Sequence, residues 1–114
     1  MTLIFKIVGV EEWRAAEAAG VFAGAAVDRA DGYIHFSTAA QAPETAAKWF
    51  EGRGDLVLAA VDADALGPAL RWEPSRGGAL FPHLYGPLVL DAVVWARPLP
   101  LGHEGRHLFG SLEA

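Results

Sequence analysis

The stretch Asp55-Leu56-Val57-Leu58-Ala59-Ala60-Val61-Asp62 decides the reading of the fold. Six apolar residues stand without a break between two acids. A half-exposed strand alternates apolar with polar; an unbroken run of strand length marks a strand covered on both faces. The sequence therefore predicts a central strand here.

Upstream, Leu3 to Val8 reads as another strand, rich in β-branched and aromatic residues and stopped by Gly9. Glu11 to Ala19 reads as a helix. It has acids in its first turn, Val10, Trp13 and Ala16 on one face, and Gly20 at its end. Val21 to Ala30 reads as a loop holding at most a short irregular strand. Asp31-Gly32 signals a turn into a strand over Tyr33 to Ser37. Thr38 and Gln41, three residues apart, form a capping-box pattern. They predict a helix starting between Thr38 and Pro43, with Ala42, Ala46, Trp49 and Phe50 on one face and Gly52 and Gly54 ending it.

Downstream, Asp62 to Gly67 reads as a turn, and Leu70 to Glu73 as a half-exposed strand. Pro74 to Gly78 reads as a loop, and Ala79 to Gly86 as an irregular segment punctuated by Pro82 and Gly86. Leu88 to Trp95 reads as a last continuous strand. From Pro98 the prolines, Gly102 and scattered charges predict a loosely packed tail. The order gives an α+β protein with a small sheet, mixed or antiparallel, and two helices in the N-terminal half. One domain over residues 1–114 is expected, with its core in 3–96 and the tail in 97–114.

Composition narrows the function classes. The 114 residues include no cysteine, which removes thiol nucleophiles, disulfides and cysteine-held metals. The apolar fraction of 53% includes 22 alanines, so the larger side chains fit an ordinary globular core. A net charge of -5 speaks against nucleic acid as a partner, which asks for a basic face. The N-terminal apolar run is too short for a signal peptide. The longest stretch without charge, Gly77 to Leu90, is broken by prolines and glycines and cannot span a membrane. A cytoplasmic protein with no membrane partner is the expectation. No Gly-rich phosphate loop is present.

Three segments carry polar residues that a plain surface does not explain. In Tyr33-Ile34-His35-Phe36-Ser37-Thr38, the residues Tyr33, His35 and Ser37 share one strand face, and Ile34 and Phe36 the other. His35 is a candidate base, ribose contact or metal ligand; it is equally a core-edge histidine bonded to backbone. Ser37 and Thr38 add hydroxyls at the strand end. In Arg71-Trp72-Glu73-Pro74-Ser75-Arg76, the residues Arg71 and Glu73 share a face. They read as a solvated ion pair or as a guanidinium and a carboxylate offered to a ligand. Arg76-Gly77-Gly78 has the makings of an anion nest. Phe81-Pro82-His83-Leu84-Tyr85-Gly86 reads as a ligand wall or as a structural plug. His35, His83 and Glu73 would make a sound two-His-one-carboxylate set, yet no local ligand spacing joins them, and no metal is expected. Ser37 and Ser75 lack a nucleophile elbow. His103 and His107 read as tail residues.

Taken together, Phe5-Lys6-Ile7, Trp13, Gly20, Asp31 to Thr38 with Gln41, Trp72-Glu73 and Phe81 to Gly86 closely resemble the bacterial domain-of-unknown-function family 952. The likeness covers Leu3 to Val94. It implies an ADP-ribosyltransferase-like fold, a split α+β sheet whose enzymatic relatives bind NAD in a cleft. On that resemblance His35 with Ser37 and Thr38 matches the ribose-binding strand, although Phe36 stands where a glycine is usual, and Tyr85 matches a nicotinamide-stacking tyrosine. The late glutamate of those relatives has no counterpart, because Glu73 precedes Tyr85. Losing that carboxylate would weaken transition-state stabilisation.

The resulting expectation is an enzyme binding NAD or a related nucleotide or phosphoester. Its catalytic residues would be His35, Glu73 and His83, and its contacts to a small anionic ligand Ser37, Thr38, Arg71, Arg76 and Tyr85. The alternatives are a binding module without catalysis and an interaction domain.

Overall fold

The computed structural model describes residues 1–113, and at Arg76 the backbone alone. In chain order the elements are β1 (Leu3–Gly9), α1 (Val10–Ala19), β2 (Val21–Phe22), α2 (Ala26–Asp31), β3 (Ile34–His35) and α3 (Ala42–Trp49). They continue with β4 (Leu56–Asp62), β5 (Leu70–Ser75), β6 (Ala79–Leu84), β7 (Leu88–Val89) and β8 (Val93–Pro98). Short 3-10 turns occupy Ala63–Ala69, Arg76–Gly78 and Leu90–Ala92. The class is α+β. Two three-stranded sheets, ordered β1-β4-β8 and β3-β6-β5, lie beside a β2-β7 ribbon, and the pairings among the described residues are antiparallel.

β4 holds the centre of the first sheet, as its apolar run requires. Its alternate residues feed two cores. Ala59 and Val61 join Ile4, Val8, Trp13 and Phe22 on one side. Leu56, Leu58 and Ala60 join Phe5, Ile7, Ala42 and Ala46 on the other. β1 is covered on both faces for the same reason, so every residue from Ile4 to Gly9 is buried. Lys6 falls on the Ile4–Val8 face and is therefore driven inward with them.

The two sheets meet at one bridge, Phe5 to Ser37, where two backbone hydrogen bonds of 2.7 and 2.9 Å tie the end of the β3 segment to β1. Just beyond it Thr38 and Gln41 bond reciprocally across the turn that leads into α3. The Thr38 N–H donates to Gln41 Oε1 at 3.0 Å, and the Gln41 N–H donates to Thr38 Oγ1 at 3.2 Å. Among the described residues no helix is long and apolar enough to cross a membrane.

Five local expectations are corrected. The loop Val21 to Ala30 contains α2, a six-residue helix too short to show periodicity. It is ordered from within, by the Asp28 carboxylate accepting the Ala25 N–H at 2.8 Å and by Gly32 closing its end at φ 89°. The segment Ala79 to Leu84 is a strand, and the middle one of its sheet, despite Pro82. The Pro82 carbonyl accepts the Phe36 N–H at 3.0 Å on the side where β3 has already ended, so no ladder bond needs the missing N–H.

Leu88 to Trp95 is two strands, because β7 pairs with β2 and β8 with β4, and the chain bends at Leu90–Ala92 to change partner. Trp49 is 64% exposed beneath Lys48; the small Ala42 and Ala46 face the core, and Phe50 completes the packing. The tail is pinned rather than loose. Leu99 is fully buried, Phe109 and Leu112 pack on the second core, and Arg97 donates to the carbonyls of Phe109 and Ser111.

Candidate functional site

Strand register assembles the site. His35 lies directly opposite His83, and His83 directly opposite Arg71. Residues paired in this way share a sheet face, so β3, β6 and β5 each contribute one side chain to a single row. The reverse face carries Ile34 and Leu84, both buried, with Leu70 packed on them. This apolar face anchors the sheet to the core and leaves the row on the other face, where Arg71 is exposed, His35 half-buried and His83 buried. One step along lie Tyr33 and Tyr85, with ring centroids 5.2 Å apart. Glu73 lies two residues on from Arg71, on the same face.

Each histidine is backed by a carboxylate. His83 Nδ1 lies 2.8 Å from Glu73 Oε1, and the Tyr85 hydroxyl donates to the same oxygen at 2.7 Å. Glu73 Oε2 makes no bond among the described residues, and neither does His83 Nε2. These partners hold the Glu73 carboxyl below its ordinary range, the Tyr85 hydrogen bond first and the His83 bond next. The Tyr85 hydroxyl is correspondingly raised, chiefly by Glu73. Arg71 lies 4.9 Å over the Tyr85 ring.

His35 stands between two acids, with Nδ1 2.6 Å from Asp28 and Nε2 2.9 Å from Asp31. It donates to both only when each nitrogen carries hydrogen. Asp28 is the buried member, its side chain 1% exposed. It also accepts from the His35 N–H at 3.1 Å and from Lys6 Nζ, which lies 3.0 Å from both of its oxygens. Burial alone would raise the Asp28 carboxyl. The His35 hydrogen bond, the Lys6 charge and the two backbone donors outweigh it and bring the pKa down to about 2. Burial lowers the Lys6 ammonium, and Asp28 opposes that shift.

Tyr33 ties the halves together. Its ring lies 4.1 Å from the His83 ring and 4.6 Å from the His35 ring, and the two histidine rings are 5.8 Å apart. Desolvation, then Asp31 and Glu73, raise the Tyr33 hydroxyl.

Of the residues expected from sequence, His35, Arg71, Glu73, His83 and Tyr85 converge on this face. Ser37 and Thr38 do not. Ser37 is buried and bonds Thr45 Oγ1 at 2.8 Å, and the Thr38 hydroxyl accepts the Gln41 N–H in the turn before α3. The side chain of Arg76 lies outside the described residues. Among the described residues no three His, Asp or Glu groups are placed to share a metal ion. Sequence reading passed over Lys6, Asp28, Asp31 and Tyr33 as members of the site. One signal was available: a lysine inside an unbroken apolar strand needs a buried acid. Nothing in the sequence pointed to Asp28 as that acid.

Fold and site together define a small α+β protein whose polar sheet face carries two carboxylate-backed histidines side by side. The chain belongs to the family described as "Protein of unknown function (DUF952)", whose profile matches residues 7–96. It is similar to the crystal structure of protein CC0527 from Caulobacter crescentus, with 55% identity, TM-score 0.92 and 96% of each chain covered. A double-mutant crystal form of CC0527 gives 53% identity and TM-score 0.91, again over 96% of each chain. Its solution structure gives 57% identity and TM-score 0.84, covering 93% of this chain and 91% of that one. No curated protein matches the chain.

Proposed function

We propose that the His35–His83 face is the active site of an enzyme acting on NAD or a related nucleotide or phosphoester. One observation carries this reading: two histidines on neighbouring strands, rings 5.8 Å apart, each with Nδ1 on a carboxylate. A carboxylate on Nδ1 fixes the ring's direction and leaves the far nitrogen for proton transfer. His83 Nε2 has no partner among the described residues, and the buried ring lies 4.1 Å from that of Tyr33. His35 Nε2 becomes free when the exposed Asp31 turns away. Arg71 offers a cation for phosphate. Glu73, anchored through one oxygen, presents the other to a sugar hydroxyl. A carboxylate so placed supports the ADP-ribosyltransferase-like resemblance, although Glu73 precedes Tyr85 in the chain.

A second reading, binding without turnover, is favoured by the same anchoring, since Tyr85 and His83 already engage Glu73.

Thermal shift with NAD, ADP-ribose and mononucleotides tests the binding. A ligand at 100 times its dissociation constant adds about 2.7 kcal/mol of apparent stability. Nicotinamide and phosphate release, compared with His35→Ala and His83→Ala, tests turnover. Stabilisation with release that both variants abolish supports an enzyme. Stabilisation without release supports the binding module. No stabilisation by any nucleotide overturns both.

A further inference from the structure

His35 is held at both ring nitrogens by acids from one helix. Asp28 and Asp31 stand three residues apart on α2 and so share a face. Asp28 Oδ1 lies 2.6 Å from His35 Nδ1, and Asp31 Oδ2 lies 2.9 Å from Nε2. The two acids differ in how firmly they are placed. The Asp28 side chain is 1% exposed and accepts from Lys6, the Ala25 N–H and the His35 N–H as well as from the ring. The Asp31 side chain is 48% exposed, and among the described residues His35 is its hydrogen-bonding partner. Nor does Asp31 serve its helix. A carboxylate in a last turn opposes the helix dipole, and Gly32 closes α2 by donating its N–H to the Asp28 carbonyl at 2.8 Å.

Proton count separates the two contacts. Asp28, with a pKa of about 2, is a carboxylate that only accepts, so the 2.6 Å contact puts a hydrogen on Nδ1. The Nε2 contact then needs the second ring hydrogen. With both in place, Lys6 and His35 balance Asp28 and Asp31 charge for charge. Once the Nε2 proton passes to solvent, a lone pair faces the Asp31 carboxylate and one negative charge is left over. Asp28 is buried and tied to Lys6, so it stays. Asp31 is free to turn into water.

The groups around His35 keep their charges through this change, with one exception. The Tyr33 ring, 4.6 Å away, stays neutral, its hydroxyl raised by desolvation and then by Asp31 and Glu73. Glu73 on β5 stays ionised, held low by Tyr85 and then by His83. Arg71 stays charged, as does Arg29, which donates to the Gly24 carbonyl. The exception is His83, whose ring lies 5.8 Å from that of His35, because histidine is the side chain that changes charge near neutral pH.

We propose that Asp31 is a proton-operated gate on His35. It closes over Nε2 when the ring is charged and swings off when the ring is neutral, so the site opens to a ligand hydroxyl only in the form that accepts its proton. The gate rests on the reading of His35 as a proton-transfer group and adds regulation to it, and its movement is visible without a ligand.

NMR of the histidine ring nitrogens and backbone amides across pH tests the gate in the wild type, Asp31→Ala and Asp31→Asn. Asp31 is exposed, so both substitutions spare the core, and thermal melts check this. In the wild type, His35 Nε2 is expected to lose its proton while Nδ1 keeps its own, and the Asp31 and Gly32 amides to shift with the same midpoint. In Asp31→Ala that midpoint is expected to fall by about 0.2–0.7 pH unit, the scale of one exposed ion pair. Asparagine accepts from the charged ring and donates to the neutral one, so in Asp31→Asn the amides at 31 and 32 are expected to stay in place. Wild-type amides that stay fixed, or that follow the His83 ring instead, overturn the gate. So does an unchanged midpoint in Asp31→Ala, or loss of the Nδ1 proton first. ADP-ribose added to the same samples keeps the two readings apart. Binding of ADP-ribose beside a failed gate leaves the nucleotide reading standing, and a working gate in a protein that ignores every nucleotide overturns that reading and keeps the gate.

Discussion

Asp28 is the residue on which the site turns. It carries a buried charge satisfied from four directions, and it joins β1, α2 and β3. Removing one partner of a buried ion pair strands the other, at a cost of about 3–5 kcal/mol. Asp28→Asn leaves Lys6 buried without a counter-charge, so denaturant unfolding is expected to show a loss on that scale. A matched Lys6→Met variant is expected to lose less, because a methionine needs no partner. The depressed Asp28 carboxyl also sets a pH dependence. Its native pKa of about 2 lies below the ordinary 3.8. Its contribution is therefore fully present above about pH 4 and is lost as pH falls towards 2, amounting to roughly 2 kcal/mol. Acid unfolding monitored by circular dichroism checks this. Stability in the wild type should decline across that window, and a decline of equal size and position in Asp28→Asn would contradict the assignment. His35 and His83 were legible in the sequence because a histidine set among large apolar neighbours stands out. Lys6 and Asp28, 22 residues apart, were not, because their pairing depends on where two elements pack.

At the scale of elements, each site residue is placed by register rather than by local motif. The two-residue β3 aligns His35 with His83, and β5 brings Arg71 and Glu73 to the same face. The capping box at Thr38 and Gln41 was readable because its signals are local. Replacing Thr38 by alanine is expected to cost about 1 kcal/mol of stability. Because Thr38 lies outside the histidine row, ligand affinity in Thr38→Ala should stay unchanged. An affinity loss without a stability loss would instead make Thr38 a ligand contact. β6 was misread because Pro82 is a poor strand residue in general. It is tolerated here because its neighbour β3 is short, a fact about another segment. α2 was missed because six residues cannot display a helical period, and its capping acid is the same Asp28 that serves the site.

Across the whole molecule, the buried run of β4 correctly signalled a central strand, and the segregation of helices from later strands correctly signalled α+β. The split into two sheets joined at Phe5 and Ser37 followed the expectation of a split sheet, with antiparallel pairing throughout the described residues. The tail did not follow its reading. Prolines and glycines suggested loose packing, but they shape a path that brings Leu99 into the second core. Leu99→Ala is expected to cost about 2–5 kcal/mol, as for other buried leucines. A thermal melt unchanged by that substitution would show that the tail contributes nothing to the fold.

The central claim is that His35 and His83 face one ligand. The chain supplies its own control: His103 is exposed in the tail, and His107 lies 2.8 Å from the Arg53 carbonyl on a different surface. An NMR titration of the four histidine ring signals with NAD and ADP-ribose is the most direct test. The account predicts that the His35 and His83 rings shift together and saturably while His103 and His107 stay in place. Rings of His35 and His83 that remain unmoved at saturating ligand, or that move only together with the tail histidines, would contradict it.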